Sequence, residues 1–172
     1  MIIAYKQHSQ FIMILAVMYV SGVWGGPIIY PMFPIFMLVF GIRKRYFELF
    51  ISTLWLLMLS DYVPVKNATY DDLQFAKDLK ALLPVILFLF YLRDYRSFGP
   101  IPKVFFYFLP FFVVMLYSLQ FSLKMDVGIQ KTISYLLMYF CIPVYVLKLH
   151  REQGEYFWNA LLTFIIGMLT IG

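Results

Sequence analysis

The chain consists of long apolar runs separated by short segments that are rich in charges, prolines or glycines. A helix rises 1.5 Å per residue, so about 20 residues are needed to cross the ~30 Å hydrocarbon layer of a bilayer. Several runs are shorter than this and would need helix tilt or local thinning of the bilayer. The runs are Phe11–Trp24, Ile28–Ile42, Tyr46–Leu59, Leu73–Leu92, Val104–Phe121, Thr132–Leu147 and Tyr156–Gly172.

This pattern predicts an all-α membrane protein with about seven transmembrane helices in a single domain, residues 1–172. Composition agrees, because 63% of the residues are hydrophobic and only 13% are charged. A soluble domain of this size needs far more polar surface. The last run ends without a flanking charge, so we expect the chain to be the N-terminal portion of a larger helical bundle.

The break between the first two runs leaves two interpretations open. The stretch "GGPIIYPMFP" contains Gly25, Gly26, Pro27, Pro31 and Pro34, which weaken or break a helix. We favour a tight hairpin of two helices, and a single crossing with a re-entrant segment is the alternative. The choice changes only the side on which the N-terminus lies.

The distribution of charge predicts the orientation. With seven crossings and a cytoplasmic N-terminus, nine basic residues face the cytoplasm and five face outwards, as the positive-inside rule requires. The basic excess therefore reflects topology and lipid contact, and it does not indicate a nucleic-acid partner. The cytoplasmic group is Lys6, Arg43, Lys44, Arg45, Arg93, Arg96, Lys103, Lys148 and Arg151, and the outer group is Lys66, Lys77, Lys80, Lys124 and Lys131. Aromatic residues near the ends of the runs are expected to form an interfacial belt: Tyr46, Tyr62, Tyr91, Tyr95, Tyr145, Tyr156 and Trp158.

No sequence motif identifies a catalytic residue, a metal site or a cofactor. The chain lacks a Gly-rich phosphate loop, C-x-x-C, H-E-x-x-H and G-x-S-x-G. His8 and His150 lie far apart and without the spacing that a metal site requires. Glu48 follows Lys44 by four residues, so we expect a structural ion pair on one helix face.

The fourth run carries charges into its helix. Only 12 apolar residues, 81–92, follow Lys80, so a helix that crosses the membrane must include Lys77, Asp78 and Lys80. Helical spacing puts Lys77 and Lys80 on one face with Gln74. Buried charges at this depth cost a few kcal/mol unless they are paired, hydrated or snorkelling. One interpretation is that both lysines snorkel to the headgroups.

The other interpretation is that the lysines bind an anion. Lys124 and Lys131, around the start of the sixth run, add two cations on the same outer side. Together these four lysines predict a cationic patch suited to phosphate or pyrophosphate at the outer leaflet.

Three segments resemble a known family. "LSD" (Leu59–Asp61), "LQFAKDLKALLPVIL" (Leu73–Leu87) and "GIQKTISYLLMYFCIPVYV" (Gly128–Val146) occur in an order similar to the N-terminal half of bacterial O-antigen polymerase and O-antigen ligase-like proteins. The similarity covers Ser60 to Val146.

The resemblance implies a protein of surface-polysaccharide assembly in the bacterial inner membrane. Such proteins transfer or polymerise an undecaprenyl-diphosphate-linked glycan at the periplasmic face, as metal-independent glycosyltransferases. The resemblance assigns pyrophosphate binding to Lys77, Lys80 and Lys131, with Lys124 as a weaker candidate. The large outer loop of the family, with its arginine and histidine, belongs to the C-terminal half, so catalysis is expected only if this chain is part of a longer protein.

Two other function classes stay open from the sequence. One is a small transporter or flippase-like protein for an anionic substrate, and the other is a non-catalytic membrane scaffold. The residues do not indicate which sugar or acceptor is used, or whether the activity is that of a polymerase or a ligase. They do not indicate the oligomeric state either.

Overall fold

The computed structural model describes Met13, Val17, residues 32–61 and residues 70–171. In these ranges the chain is helical and contains no strand, which confirms the predicted all-α class. The helices are α1 (Met32–Ile42), α2 (Tyr46–Asp61), α3 (Tyr70–Arg93), α4 (Tyr95–Phe98), α5 (Val104–Tyr107), α6 (Leu109–Ser118), α7 (Met125–Gln153) and α8 (Glu155–Ile171), with a 3₁₀ turn at Leu119–Phe121 between α6 and α7.

The helices cover the predicted apolar runs from Met32 onwards. The first run and the proposed hairpin at 25–31 lie outside the described residues, apart from helical Met13 and Val17. Within the described part, only α7, with 29 residues, is both long and apolar enough to cross a membrane. A shorter apolar stretch covers Leu109–Phe121, and α8 has 17 residues.

Three prolines lie inside helices that continue past them. Pro34 lies in the first turn of α1, where a backbone N–H has no intrahelical partner. It therefore does not break the helix, contrary to the prediction. Pro84 in α3 and Pro143 in α7 each remove one backbone hydrogen bond, yet both helices are continuous.

The fifth run is not one helix, contrary to the prediction. Its residues form α5, α6 and the 3₁₀ turn, and the interruption lies at Phe108. Pro110 occupies the first turn of α6 and cannot donate a backbone hydrogen bond, so it begins a new helix there. The Phe108 N–H donates instead to Phe105 O, at 3.1 Å.

Contacts divide the chain into two compact units. The first comprises Met1–Lys80 and Leu149–Gly172, and the second comprises Ala81–Lys148. The boundaries fall inside α3 and α7, which therefore contribute residues to both units. The single transmembrane domain inferred from the sequence stays a prediction.

In the first unit, α1 and α2 are joined by a short turn, and α2 packs beside α8. Three aromatic pairs join α2 to α8 at a nearly constant sequence offset: Phe47 with Tyr156, Phe50 with Phe157, and Trp55 with Phe164. Their order shows that α2 and α8 run in the same direction. The Thr53 hydroxyl donates to Leu49 O at 2.9 Å, so this buried polar group is satisfied within its own helix.

In the second unit, α3 and α7 also run in the same direction. The Cys141 thiol lies 3.9 Å from Pro84 O, and three residues further along α3 the Tyr145 hydroxyl donates to Leu87 O at 2.9 Å. Tyr145 is fully buried and packs inside the unit, and its place in an interfacial belt stays a prediction. Tyr46, in the first unit, is also buried.

The broken fifth run packs against α7 in the opposite direction. Phe105 contacts Phe140, Phe108 stacks on Tyr139 at 4.7 Å between ring centroids, and Leu119 lies beside Gly128. A Cβ atom at Gly128 would approach Leu119 Cδ2 to 2.9 Å, so a larger residue there would require the Leu119 side chain to shift. The chain between α3 and α7 therefore returns along the length of α7.

Candidate functional site

The predicted lysines of the fourth run lie in a continuous helix. The 24 residues of α3 include Lys77, Asp78 and Lys80, which confirms that these charges belong to the helix itself. The Lys80 side chain is half-buried and Asp78 is exposed. The Lys77 side chain lies outside the described part of the structure.

The other two predicted lysines are exposed and belong to the second unit. Lys124 precedes α7 in a turn in which Ser122 Oγ donates to Lys124 O at 3.0 Å. Lys131 lies in the second turn of α7. A common pyrophosphate site for these lysines and Lys80 stays a prediction, because Lys80 belongs to the first unit.

A polar cluster that the sequence did not predict as a site surrounds the turn between α1 and α2. The turn is closed by hydrogen bonds from Lys44 N to Gly41 O at 3.1 Å and from Arg45 N to Phe40 O at 2.9 Å. Lys44 has φ +57°, in the left-handed region that residues with a Cβ rarely adopt. Its side chain is exposed.

Arg45 holds a buried carboxylate at the start of α2. Glu48 is only 3% exposed, and Arg45 Nε donates to Glu48 Oε1 at 3.0 Å. The terminal Arg45 nitrogen donates to the same oxygen. The guanidinium also lies over the Phe40 ring, 5.6 Å from its centroid. Glu48 lies in the first turn of the helix, where the helix dipole favours a negative charge.

The expected Lys44–Glu48 pair stays a prediction, and the structure adds Arg45 as a partner of Glu48. Helix α2 begins at Tyr46, so Lys44 precedes the helix and the two residues do not share a helix face. Arg45, which lies three residues before Glu48, forms an ion pair with its carboxylate.

A second helix-to-helix turn lies beside the first. Gly154 separates α7 from α8 with φ +58°, and its N–H donates to His150 O at 2.7 Å. A glycine in this conformation commonly ends a helix, because it satisfies the last carbonyls without a Cβ clash. Across the turn, Trp158 Nε1 donates to His150 Nδ1 at 2.9 Å.

Residues at the two turns line an open cavity of about 560 Å³ in the first unit. This volume falls within the ~300–1,000 Å³ typical of small-molecule sites. Its walls carry two cations, two carboxylates, an amide and two phenols, together with apolar contacts. The lining residues are Lys44, Arg45, Tyr46, Phe47, Glu48, Leu149, Glu152, Gln153 and Tyr156.

One polar atom of this cavity is buried without a hydrogen bond. Gln153 Oε1 has no hydrogen-bond donor within reach. Leaving a buried acceptor unsatisfied costs about 1–3 kcal/mol, so such an atom marks a place where a donor is expected.

A buried cation is found in the second unit. Lys148 is 3% exposed, and its ammonium donates to Ser97 Oγ at 3.1 Å and to Ser97 O at 3.4 Å. It also lies 4.8 Å from the centroid of the Phe98 ring. These contacts, made with the end of α4, give Lys148 a structural role.

Among the residues that the structure describes, no group of three His, Cys, Asp or Glu side chains is arranged to hold a metal ion. His150 is engaged by Trp158, and His8 lies outside the described ranges.

Comparison with protein-family models, with curated proteins and with solved structures gave no match.

Proposed function

We propose that this chain is a polytopic helical membrane protein with about seven crossings. The observation that carries the proposal is the apolar outer surface of α6 and α7 in the second unit. Exposed side chains on these helices are Leu109, Phe111, Val113, Val114, Leu116, Tyr117, Ile129, Ile133 and Leu136. Such a surface is unfavourable in water and is matched by lipid, where the helical backbone satisfies its own hydrogen bonds.

The directions of the helices support this proposal. A chain that crosses the membrane at every run reverses direction each time, so α2 and α8 should run alike, and so should α3 and α7. Both relations hold within their respective units. The basic turn at Arg43–Arg45 and the turn at Gly154 line one cavity, as expected if both lie on the cytoplasmic side.

Cysteine accessibility tests the topology. In a Cys141→Ala background, single cysteines replace Arg43, Arg96 or Leu123, which are exposed. We expect a membrane-impermeant thiol reagent to label Leu123→Cys in intact spheroplasts, and the other two only after permeabilisation. Labelling of Arg43→Cys and Leu123→Cys from the same side would overturn the proposed topology.

Within this membrane protein we propose a narrower function in surface-polysaccharide assembly. The chain would act at the periplasmic face of the bacterial inner membrane on an undecaprenyl-diphosphate-linked glycan, as part of a metal-independent glycosyltransferase. The similarity of Ser60–Val146 to O-antigen polymerases and ligases supports this function. The lysines at the start of α3 and α7 supply the positive charge that a pyrophosphate requires.

The experiment that tests this narrower function replaces Lys77 and Lys80 together by alanine in the full-length protein. We expect glycan chain assembly to be lost while membrane abundance is unchanged. The matched control replaces Lys103 and Arg151, two exposed cations of the predicted cytoplasmic side. Normal glycan assembly in the Lys77/Lys80 variant would remove these lysines from the site and favour snorkelling.

A further inference from the structure

The segment from the end of α3 to the end of α5 carries charges that the proposed glycan function does not use. We call residues 93–107 the basic segment, which lies within the second unit. It contains three basic residues, Arg93, Arg96 and Lys103, and one acidic residue, Asp94. The charge pattern assigns it to the side opposite the lysines proposed for the lipid-linked glycan, so it needs an explanation of its own.

Buried side chains hold the basic segment against α7. The Phe98 ring is buried and packs on Tyr145 of α7, with 4.8 Å between the ring centroids. Pro102 is also buried. Arg96 and Lys103, which lie next to these anchors in the chain, have exposed side chains. The segment therefore presents its charges outwards from a packed base.

The acidic residue of the segment is already engaged by one cation. Arg93 donates to Asp94 Oδ2 from Nε at 2.8 Å and from a terminal nitrogen at 2.6 Å. The other carboxylate in the sequence of the second unit is Asp126, at the start of α7. The basic segment contacts Lys148, 22 residues further along the same helix, so Asp126 lies about 33 Å away along the helix axis.

The charges of Arg96 and Lys103 are therefore not balanced within the second unit. Neither residue forms an ion pair with any residue in the described ranges. Arg96 Nε donates to the Tyr95 hydroxyl at 3.1 Å, and the guanidinium lies over the Tyr95 ring, 5.8 Å from its centroid. This bond uses only Nε, and the donors of the two terminal nitrogens remain for phosphate oxygens.

Exposed apolar side chains lie beside these cations in the chain. Ile101, Val104 and Phe106 are about half exposed, and Tyr107 is 83% exposed. A small soluble anion would use the cations alone. Cations next to exposed aliphatic and aromatic groups are typical of a surface at the membrane interface, where phosphate groups and acyl chains lie close together.

We infer that the basic segment binds anionic phospholipid, with the headgroup phosphate at Arg96 and Lys103 and the acyl chains along Ile101 and Phe106. A zwitterionic lipid would bring its own cation towards these two residues and is therefore disfavoured. The inference rests on the proposed membrane location. It depends neither on the glycan function nor on the side that the segment faces.

Native mass spectrometry of the full-length chain tests the lipid preference. The protein is released from detergent micelles that contain equal amounts of phosphatidylglycerol and phosphatidylcholine, and the retained lipids are counted. We expect at least about fivefold more phosphatidylglycerol, since one basic residue near an anionic surface contributes about that factor in affinity. Equal retention of the two lipids, or retention of neither, overturns the inference.

Charge variants locate the binding surface. Arg96→Gln combined with Lys103→Gln should abolish the preference for phosphatidylglycerol. The matched control, Arg43→Gln combined with Lys124→Gln, removes two exposed cations outside the segment and should keep the preference. The same result for both double variants overturns the inference. If the first double variant does not fold, each single variant should lose part of the preference, and full retention in both overturns the site.

A competition arm distinguishes lipid from free phosphate. Glycerol phosphate carries the headgroup charge without acyl chains, and at the concentration of phosphatidylglycerol it should not displace the lipid. Displacement would identify a site for a soluble phosphate and overturn the lipid assignment.

The topology test separates this inference from the membrane proposal. A preference for phosphatidylglycerol, together with labelling of Arg96→Cys in intact spheroplasts, would keep the lipid surface and reverse the proposed orientation. Protection of Arg96→Cys without a lipid preference would keep the orientation and remove this inference.

Discussion

The two helix-to-helix turns of the first unit contain a residue with nearly the same positive φ angle, but the residue type differs. Lys44 has φ +57° between α1 and α2, and Gly154 has φ +58° between α7 and α8. Glycine adopts this conformation at no steric cost, whereas a lysine is strained by about 1–2 kcal/mol. One turn therefore follows the usual rule for ending a helix, and the other departs from it.

The departure coincides with the cavity. Lys44 places a cationic side chain on the wall, which glycine cannot do. A side-chain contact accompanies each turn: Arg45 with the buried Glu48 after the first, and Trp158 with His150 across the second. The comparison predicts that the first turn depends on its ion pair and the second on its glycine.

The largest effect is expected for Arg45→Ala. This change leaves the carboxylate of Glu48, 3% exposed, without its guanidinium. Removing one partner of a buried pair costs about 3–5 kcal/mol, and because Arg45 is partly exposed we expect about 2 kcal/mol. The melting temperature in detergent should fall by roughly 4–8 °C.

Two further variants identify the cause. Arg43→Ala removes an exposed cation of the same turn and should change the free energy of unfolding by less than about 0.5 kcal/mol. Glu48→Gln in the Arg45→Ala background removes the buried charge and should recover part of the loss. Equal destabilisation by Arg43→Ala and Arg45→Ala would show that the ion pair does not stabilise the turn.

Gly154→Ala should cost about 1–2 kcal/mol through backbone strain alone. A Cβ atom at this position would meet nothing within 4 Å, so no steric contact contributes. Gly154→Asn is the control, because asparagine tolerates the left-handed region and should lose less. Thermal unfolding measures both. The same loss for alanine and asparagine would mean that strain is not the cause.

The helices were largely predictable because helix formation follows local signals. The extension of α3 through Lys77 and Lys80 followed from the short apolar run after them, and it is observed. The effects of proline were less predictable. Pro84 and Pro143 stay within helices, whereas Pro110 begins a new one, since packing against neighbours decides whether the lost hydrogen bond is tolerated.

The cavity was not predictable from the sequence. Its walls join residues around Lys44 to residues around Gln153, and no local pattern links segments so far apart in the chain. The Arg45–Glu48 pair could have been inferred, since its members lie three residues apart at a helix start. The φ angle of Lys44 carries no sequence signal, because lysine is not among the residues enriched in this region.

Trp158→Phe should have a smaller effect than Arg45→Ala or Gly154→Ala. It keeps an aromatic ring at a partly exposed position and removes the hydrogen bond to His150 Nδ1. We expect a loss of about 0.5–1 kcal/mol. His150→Ala should lose a similar amount, and the double variant should be non-additive. Additive losses would show that the bond across the turn does not contribute to stability.

Lys44→Gly should have the smallest effect and the opposite sign. Glycine relieves about 1–2 kcal/mol of left-handed strain and loses up to about 1 kcal/mol of backbone entropy, so we expect a net gain of about 0.5 kcal/mol. Lys44→Asn relieves the strain in part, because asparagine tolerates the left-handed region, and it should gain less.

Thermal unfolding in detergent measures both variants. A loss of stability in Lys44→Gly would mean that the lysine side chain stabilises the turn by more than its backbone strain costs.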